Sequence, residues 1–487
     1  MLPELPSEIW HKIYSKLTFR ECIRCTRVCR SWRSKILSWS GLWHEISNEH
    51  GYQSISTLQP YTPYLVSSAV QRFRINTHGG QQRSPRDKAI HAMVTLNFLI
   101  EHNCNSIKEV VLRQLPNLVT FVYRAVVTQT DESIEDEPWC LFEPGMHLPH
   151  ENLAELTIEM FGNGRPMSMH LLLHLLPKLR RVSLNALDCD DATAVLHALA
   201  YNCHVIELIE IHDGHDDNFR WSEAHTHPGK GLQFLVVDGD DRFTDADALH
   251  PVIAKHHITL RLLRIKGYEP LGRMTLSHWA RLPFPKLRNL ILVNLDDQPP
   301  GEVPDLTKDL CAFLRQATEL RRADISISNL MNDSVLSCLA DMKQLGELRL
   351  SSCTTLSESG FIRFIQSPAV QKNLKSLELD DVDVLNGKLL NIMGESLTVF
   401  EQVTIAACRN VHVREIPQFL ADIRVPLKRF NLVCFVKADE CPDELLDSIV
   451  DQLKNKAEEW KFVLETTSHN EDWLPSLYRV LTSEDSS

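Results

Sequence analysis

Residues 345–361 read LGELRLSSCTTLSESGF, and the fold prediction is based on the pattern of apolar and polar residues in this segment. Leu348 and Leu350 alternate with polar residues, as expected for a short strand that buries one face. The small residue Cys353 follows at the point where the chain would turn, and Ser357 is a suitable residue to begin a helix. The stretch therefore predicts a strand, a turn and a helix within one unit.

The same unit recurs along most of the chain. Its L-x-x-L-x-L pattern begins at Leu153, Leu179, Ile206, Leu232, Leu260, Leu287, Leu320, Leu345, Leu374, Phe400 and Leu427. Most of these starts are separated by roughly 25–29 residues, a spacing typical of leucine-rich repeats. Two earlier repeats are predicted from similar apolar patterns. One contains Val70, Phe73 and Ile75, and the other contains Ile107, Val110 and Leu112.

One unit cannot bury its own apolar face, but about a dozen stacked units would share a continuous core. We therefore predict an α/β fold, a leucine-rich-repeat horseshoe solenoid with a parallel sheet inside and helices outside. The solenoid is expected over residues 107–465, with an acidic insertion at 124–150. Residues 48–106 are expected to form a linker and a first irregular repeat, and residues 466–487 a C-terminal cap and tail.

Residues 1–47 have a different periodicity, which indicates three short helices. Pro6 suits the first position of a helix, and Ile9, Ile13 and Leu17 then recur along one helix face. Three helices this short bury too little apolar surface to be stable alone. The segment is therefore expected to need a partner or a docked neighbour.

This N-terminal segment resembles the F-box. The matching residues, in the order and close to the spacing of that family, are Leu5, Pro6, Glu8, Ile9, Ile13, Leu17, Val28, Cys29, Trp32, Leu42 and Trp43. Because repeats follow the segment, the chain resembles the F-box/leucine-rich-repeat family. The resemblance implies a substrate-recognition subunit of an SCF-type cullin–RING ubiquitin ligase. The F-box would bind a Skp-type adaptor and through it a cullin, and the repeats would bind the protein to be ubiquitinated for proteasomal degradation.

The resemblance also implies an adaptor-binding surface. Its residues would be Leu5, Pro6, Ile9 and Leu17, with Ile13, Ile23 and Val28 nearby. The alternative is that these side chains only pack the three helices against each other. We expect Val28 and Trp32 to serve mainly in that packing, and Leu5 and Pro6 to serve in the interface.

Strand alternation predicts a substrate-binding surface on the concave face of the sheet. The candidate residues are Phe234, Val236, Arg264, Lys266, Ile291, Val293, Arg322 and Arg349. We expect the main contact in the middle of the array, where the basic pair Arg264 and Lys266 adjoins apolar Ile291 and Val293 and an exposed Phe234. An apolar centre with a charged rim is common in protein-binding sites. A solvated face without a single hot spot is the alternative.

Candidate metal and catalytic motifs are better explained by structural roles. Cys22, Cys25 and Cys29 have the spacing of one helix face and its end. Solvated side chains are favoured over a zinc site in the Asp-rich loop that holds His212, His215, His225 and His227. The chain contains no phosphate loop, nucleophile elbow or zinc-protease motif. We therefore expect no catalytic residue, no metal, no cofactor and no enzymatic activity.

Composition limits the partners and the location. The net charge is −13 and the pI is about 5.9, without a dense Lys/Arg stripe, which argues against nucleic-acid and membrane partners. Thirteen scattered cysteines, with neither a signal-peptide pattern nor a membrane-length apolar run, favour the cytoplasm and/or the nucleus. The alternative function is an F-box scaffold or trafficking protein that binds the adaptor without a ligase role.

Overall fold

The structure is a computed structural model, and it describes residues 6–17, 19–47, 69–76, 119–126, 152–161, 173, 176–185, 189–212, 231–238, 249–266, 273–293, 306–327, 330–436, 443–466 and 476–482. The chain forms two compact units, Met1–Leu232 and Gln233–Ser487. No helix in these described ranges is long and apolar enough to cross a membrane.

The first unit begins with three short helices, as predicted. They are α1 (Ser7–Tyr14), α2 (Phe19–Cys25) and α3 (Arg30–Leu37), and a 3-10 turn follows at Ser40–Trp43. The buried side chains of this segment are Tyr14, Cys22, Thr26, Ile36, Leu37, Leu42 and Trp43. The indole N–H of Trp43 donates a hydrogen bond to the Leu37 carbonyl at 3.2 Å, which fixes the turn against the end of α3.

A parallel sheet continues the first unit. Its strands are β1 (Glu45–Ser47), β2 (Arg72–Asn76), β3 (Thr120–Val126), β4 (Glu155–Phe161), β5 (Arg181–Asn185) and β6 (Leu208–His212). Each strand pairs in parallel with the next along the chain. Helix α4 (Cys189–Asn202) lies between β5 and β6 in the sequence.

The second unit repeats the same plan. Its strands are β7 (Phe234–Asp238), β8 (Leu262–Lys266), β9 (Asn289–Val293), β10 (Arg322–Ser326), β11 (Glu347–Ser351), β12 (Ser376–Asp380), β13 (Gln402–Ala406), β14 (Leu427–Val436), β15 (Ala457–Thr466) and β16 (Ser476–Thr482). Strands β7 to β15 pair in parallel with their neighbours, and β16 pairs antiparallel with β15. The predicted leucine-rich-repeat solenoid is confirmed as the fold class.

Helices separate the strands of the second unit. They are α5 (Leu249–His256), α6 (Arg273–Trp279), α7 (Thr307–Gln316), α8 (Asp333–Ala340), α9 (Glu358–Ile365), α10 (Pro368–Asn373), α11 (Gly387–Ser396), α12 (Ile416–Asp422) and α13 (Asp443–Lys456). Ser357 caps α9 as expected, because its hydroxyl accepts a hydrogen bond from the Gly360 N–H at 3.0 Å. Asn332 plays the same part for α8.

The quoted stretch behaves as its pattern predicts. Leu348 and Leu350 are buried, whereas Arg349 between them is partly exposed. The Cys353 thiol is buried at the turn and donates to the Ser351 carbonyl at 3.4 Å. Burial raises the pKa of Cys353 to about 12, so the thiol stays protonated and acts as a small apolar residue.

The residue directly after each of three successive strands has a left-handed backbone. Ser352, Asp381 and Ala407 have φ values of 52°, 50° and 51°. The conformation turns the chain so that the Ser352 N–H donates to the Asp380 carbonyl at 2.9 Å, in the next repeat. The Asp381 N–H reaches the Ala406 carbonyl in the same way, at 3.0 Å. These hydrogen bonds extend the ladder between repeats beyond the strands.

Several predicted features lie outside the described residues. They include the early triplet at 107–112, the histidines after His212, the final five residues and the acidic insertion beyond Val126. The domain boundaries stay a prediction.

Replacing Ala407 with Gly is expected to raise the free energy of unfolding by about 0.5–1 kcal/mol, because glycine adopts a left-handed backbone without the steric cost of a Cβ. Ala406 ends β13, so Ala406→Gly should lower the same quantity by a similar amount. Chemical denaturation of the full chain measures both. Shifts of the same sign in the two variants would contradict the role given to the left-handed turn.

Candidate protein-binding surfaces

Helix α1 presents an apolar stripe at the surface. Ile9 and Ile13, one turn apart, are 41% and 39% exposed, and Leu17 beyond the helix end is half-buried. Pro6 is exposed at the N-cap position of the helix. Leu5 lies outside the described residues.

An adjacent side of α1 is held by aromatic packing. Trp10 stacks on Tyr14 with ring centroids 5.5 Å apart and meets the edge of Trp32 at 5.3 Å. The Lys35 ammonium lies 5.4 Å from the Trp10 ring centroid. Tyr14 is buried and Ile9 is exposed. The aromatic packing therefore holds α1 in place, and the apolar stripe is not needed for that contact.

Val28 was expected mainly in the packing between the helices, and that expectation is wrong. Its side chain is 65% exposed. Helix α2 ends at Cys25, and the Val28 N–H donates to the Cys25 carbonyl in the turn that follows, so Val28 does not continue the buried face of the helix. Trp32 and Ile23 are half-buried.

Exposed basic side chains are also numerous in this helical segment. Residues 1–44 contain eight Lys or Arg and three Glu, whereas the full chain has a net charge of −13. The exposed basic residues of the described segment are Lys12, Lys16, Arg24, Arg27, Arg30 and Arg33. Within the described ranges, none of the six forms an ion pair. The charge is therefore available to a partner.

The helical segment runs directly into the sheet. The carbonyl of His44 accepts hydrogen bonds from the N–H groups of Gln71 and Arg72, both at 3.0 Å. Glu45 and Arg72 form an ion pair at 3.2 Å between β1 and β2. The sequence pattern missed this connection, because a strand of three residues is too short to show alternation.

The predicted centre of the substrate surface is buried. Phe234, Val236, Arg264 and Ile291 are all less than a tenth exposed, so the expected exposed Phe234 is a wrong prediction. The Arg264 Nε–H donates to Asp238 Oδ1 at 2.7 Å, and the guanidinium is therefore already neutralised. The alternation of residues along a strand shows which side chains lie on the same face of the sheet. It does not show whether other parts of the chain bury that face.

The other predicted residues on this face are more accessible. Lys266 and Val293 are half-buried, and Arg322 and Arg349 each expose 41% of the side chain. Arg322 Nε lies 3.7 Å from Glu347 Oε2, and Arg349 Nε lies 3.4 Å from Glu378 Oε1. Among the predicted residues, the charged side chains with the greatest exposure are therefore Arg322 on β10 and Arg349 on β11. Substrate binding by any of these residues stays a prediction.

The cysteines of the helical segment have structural roles. Cys22 is buried, and burial raises its pKa to about 11. Cys29 caps α3, since its sulfur accepts a hydrogen bond from the Trp32 N–H at 3.5 Å. Within the part of the chain that the structure describes, no three His, Cys, Asp or Glu side chains are placed to hold a metal ion.

Comparison with known proteins identifies the helical segment. Residues 2–49 match the family model described as F-box-like. No curated protein matches the sequence. The chain thus combines an F-box-like domain with leucine-rich repeats.

Similar solved structures include the following two. One is the complex of Rad7 and Elc1 in yeast, at 16% identity over 62% of this chain and 73% of the other, with a TM-score of 0.38. The other is the TLR13–ssRNA13 complex, at 14% identity over 85% of this chain and 59% of the other, with a TM-score of 0.32.

Proposed function

We propose that this chain is the substrate-recognition subunit of an SCF-type E3 ubiquitin ligase. Its F-box-like domain binds a Skp-type adaptor and, through the adaptor, a cullin. Its repeats bind the protein that is ubiquitinated for proteasomal degradation, and the chain works without a cofactor in the cytoplasm and/or the nucleus. The observation that carries the proposal is the exposed apolar stripe of α1 within a domain that matches the F-box-like family.

The apolar side chains at the surface are concentrated in this domain. Seven large apolar side chains of the described structure are exposed, namely Ile9, Ile13, Val28, Val119, Tyr201, Val205 and Ile258. Three of the seven belong to the short F-box-like domain. Apolar surface in contact with water costs about 25 cal/mol per Å², so a partner that covers the stripe gains affinity from it.

The exposed basic side chains of the same domain add a second contribution. Arg27 and Arg30 flank Val28 in the sequence, and all three side chains are exposed. A positive rim around an apolar centre attracts an acidic partner surface during association and contributes less to the final affinity. The adaptor surface that receives this domain is therefore expected to be acidic at its edge.

Replacing Ile9 and Ile13 together with Ala should weaken adaptor binding by about 2 kcal/mol, roughly 30-fold, because both side chains lose apolar area that the adaptor covers. The helical content should not change, since neither side chain is part of the buried aromatic packing. Calorimetric titration of purified full chain with a Skp-type adaptor measures the affinity. The matched control is Val205→Ala with Ile258→Ala, two exposed apolar residues in the repeats, which should bind as wild type does.

The same variants test the ligase role in cells under proteasome inhibition. Wild type should be captured with both adaptor and cullin, and the Ile9/Ile13 variant with neither. Capture of the adaptor without a cullin would contradict the substrate-receptor role and leave adaptor binding intact.

Replacing Arg27 and Arg30 with Gln should slow association with the adaptor about three- to tenfold at low salt, and the difference from wild type should disappear near 1 M salt. Stopped-flow mixing across a salt series measures the association rate. Arg281→Gln with Arg424→Gln removes the same charge from exposed positions in the repeats and should leave the rate unchanged. A slowing that does not depend on salt would contradict electrostatic steering.

A further inference from the structure

Strands β10, β11 and β12 carry a compact group of charges on the sheet face opposite the buried leucines. The side chains on this face are Arg322, Asp324, Ser326, Glu347, Arg349, Ser351, Ser376, Glu378 and Asp380. Asp324, Arg349 and Glu378 are paired directly across the three strands, so the Arg349 side chain lies between two carboxylates.

The group contains more carboxylates than cations. Four carboxylates, those of Asp324, Glu347, Glu378 and Asp380, share two guanidinium groups. Both guanidinium groups are already engaged, Arg322 with Glu347 at 3.7 Å and Arg349 with Glu378 at 3.4 Å.

The neighbouring strands add no charge on this face. The face residues of β9 are Asn289, Ile291 and Val293, and those of β13 are Gln402, Thr404 and Ala406. On the far side of β9, Arg264 is bound to Asp238. The excess of negative charge is therefore confined to β10 to β12.

Asp324 is the least satisfied member of the group. It is only 6% exposed, yet its Oδ1 accepts no hydrogen bond, and its ion-pair contact with Arg349 Nε is 3.9 Å long. Arg349 Nε is also without a hydrogen bond. A buried carboxylate oxygen that accepts no hydrogen bond lowers the stability of the fold, and a donor from a bound partner would remove that cost.

The electrostatics agree with the geometry. Burial raises the pKa of Asp324 although Arg349, Arg322 and Arg264 act to lower it. Burial also raises the pKa of Glu378 against the lowering effect of Arg349, and the charges of Asp324 and Asp380 raise it further. The resident arginines therefore do not fully compensate the carboxylates.

The shape of the group favours an organic cation. Within the described residues, no three His, Cys, Asp or Glu side chains are placed to hold a metal ion, so the carboxylates of this face do not converge on one point as metal ligands do. A lysine or arginine side chain instead donates several hydrogen bonds and pairs with carboxylates across a surface.

We infer that the face of β10 to β12 binds a lysine or arginine side chain of the protein substrate, with the carboxylates of Asp324 and Glu378 as acceptors. The inference rests on the proposed function, since it takes the repeats to be the substrate-binding part. It defines the substrate class as a protein that exposes a basic segment, and it differs from the sequence-based expectation of a basic site at Arg264 and Lys266.

A random-peptide library displayed on phage tests the inference when it is selected on the full chain in complex with a Skp-type adaptor. Selected peptides should share a Lys or Arg, and synthetic versions with Gln or citrulline at that position should bind at least about tenfold more weakly. Asp324→Asn with Glu378→Gln should cause a loss of the same size. Arg349→Gln should bind more tightly than wild type, because it removes the competing resident cation, and misfolding cannot produce that gain.

The control Glu444→Gln with Asp447→Asn removes two exposed carboxylates from α13 and should bind the peptides as wild type does. Peptides without Lys or Arg, equal binding to the Asp324/Glu378 variant, or no enriched peptide at all would overturn the inference. Failure of the proposed function appears separately, as loss of the adaptor from the wild-type chain.

Discussion

Stacking of the repeats determines which side chains this protein can bury. Each repeat supplies one strand and one apolar row, such as Leu348 and Leu350, which only its neighbours can cover. The left-handed residues after β11 and β12, Ser352 and Asp381, continue the hydrogen-bond ladder into the turns. Stacking leaves the other face of each strand free to vary, and that freedom permits a charged group such as Asp324, Arg349 and Glu378.

The F-box-like domain also cannot bury all of its apolar surface by itself. Its helices are too short to bury all of their apolar surface, and the aromatic packing of Trp10, Tyr14 and Trp32 satisfies only one side of α1. The chain then enters β1 without an intervening linker, because the His44 carbonyl and Glu45 bind β2 directly. The domain is therefore fixed to the first strands of the sheet while its stripe of Ile9 and Ile13 stays in water.

Local rules were sufficient to predict much of this arrangement from the sequence. Alternating leucines, the Ser357 cap and the spacing of apolar residues in α1 depend on near neighbours in the chain, and the structure confirms the elements they predict. The left-handed turn residues carry no such signal, since Ser352, Asp381 and Ala407 are not glycines.

Features set by distant residues were not predictable in the same way. The pairing of Arg264 with Asp238 depends on the register of two strands, and a free cation was expected there instead. The exposure of Val28 depends on where α2 ends, which the apolar pattern did not reveal. The charge excess on β10 to β12 becomes visible only when three strands are aligned.

Hydrogen–deuterium exchange on the full chain, alone and in complex with a Skp-type adaptor, tests most directly whether another subunit covers α1. If the adaptor covers α1, exchange in the complex should be slower in residues 7–14 and around Val28 and unchanged in β10 to β12. Unchanged exchange in α1 within a stoichiometric complex, or protection confined to the repeats, would contradict that coverage.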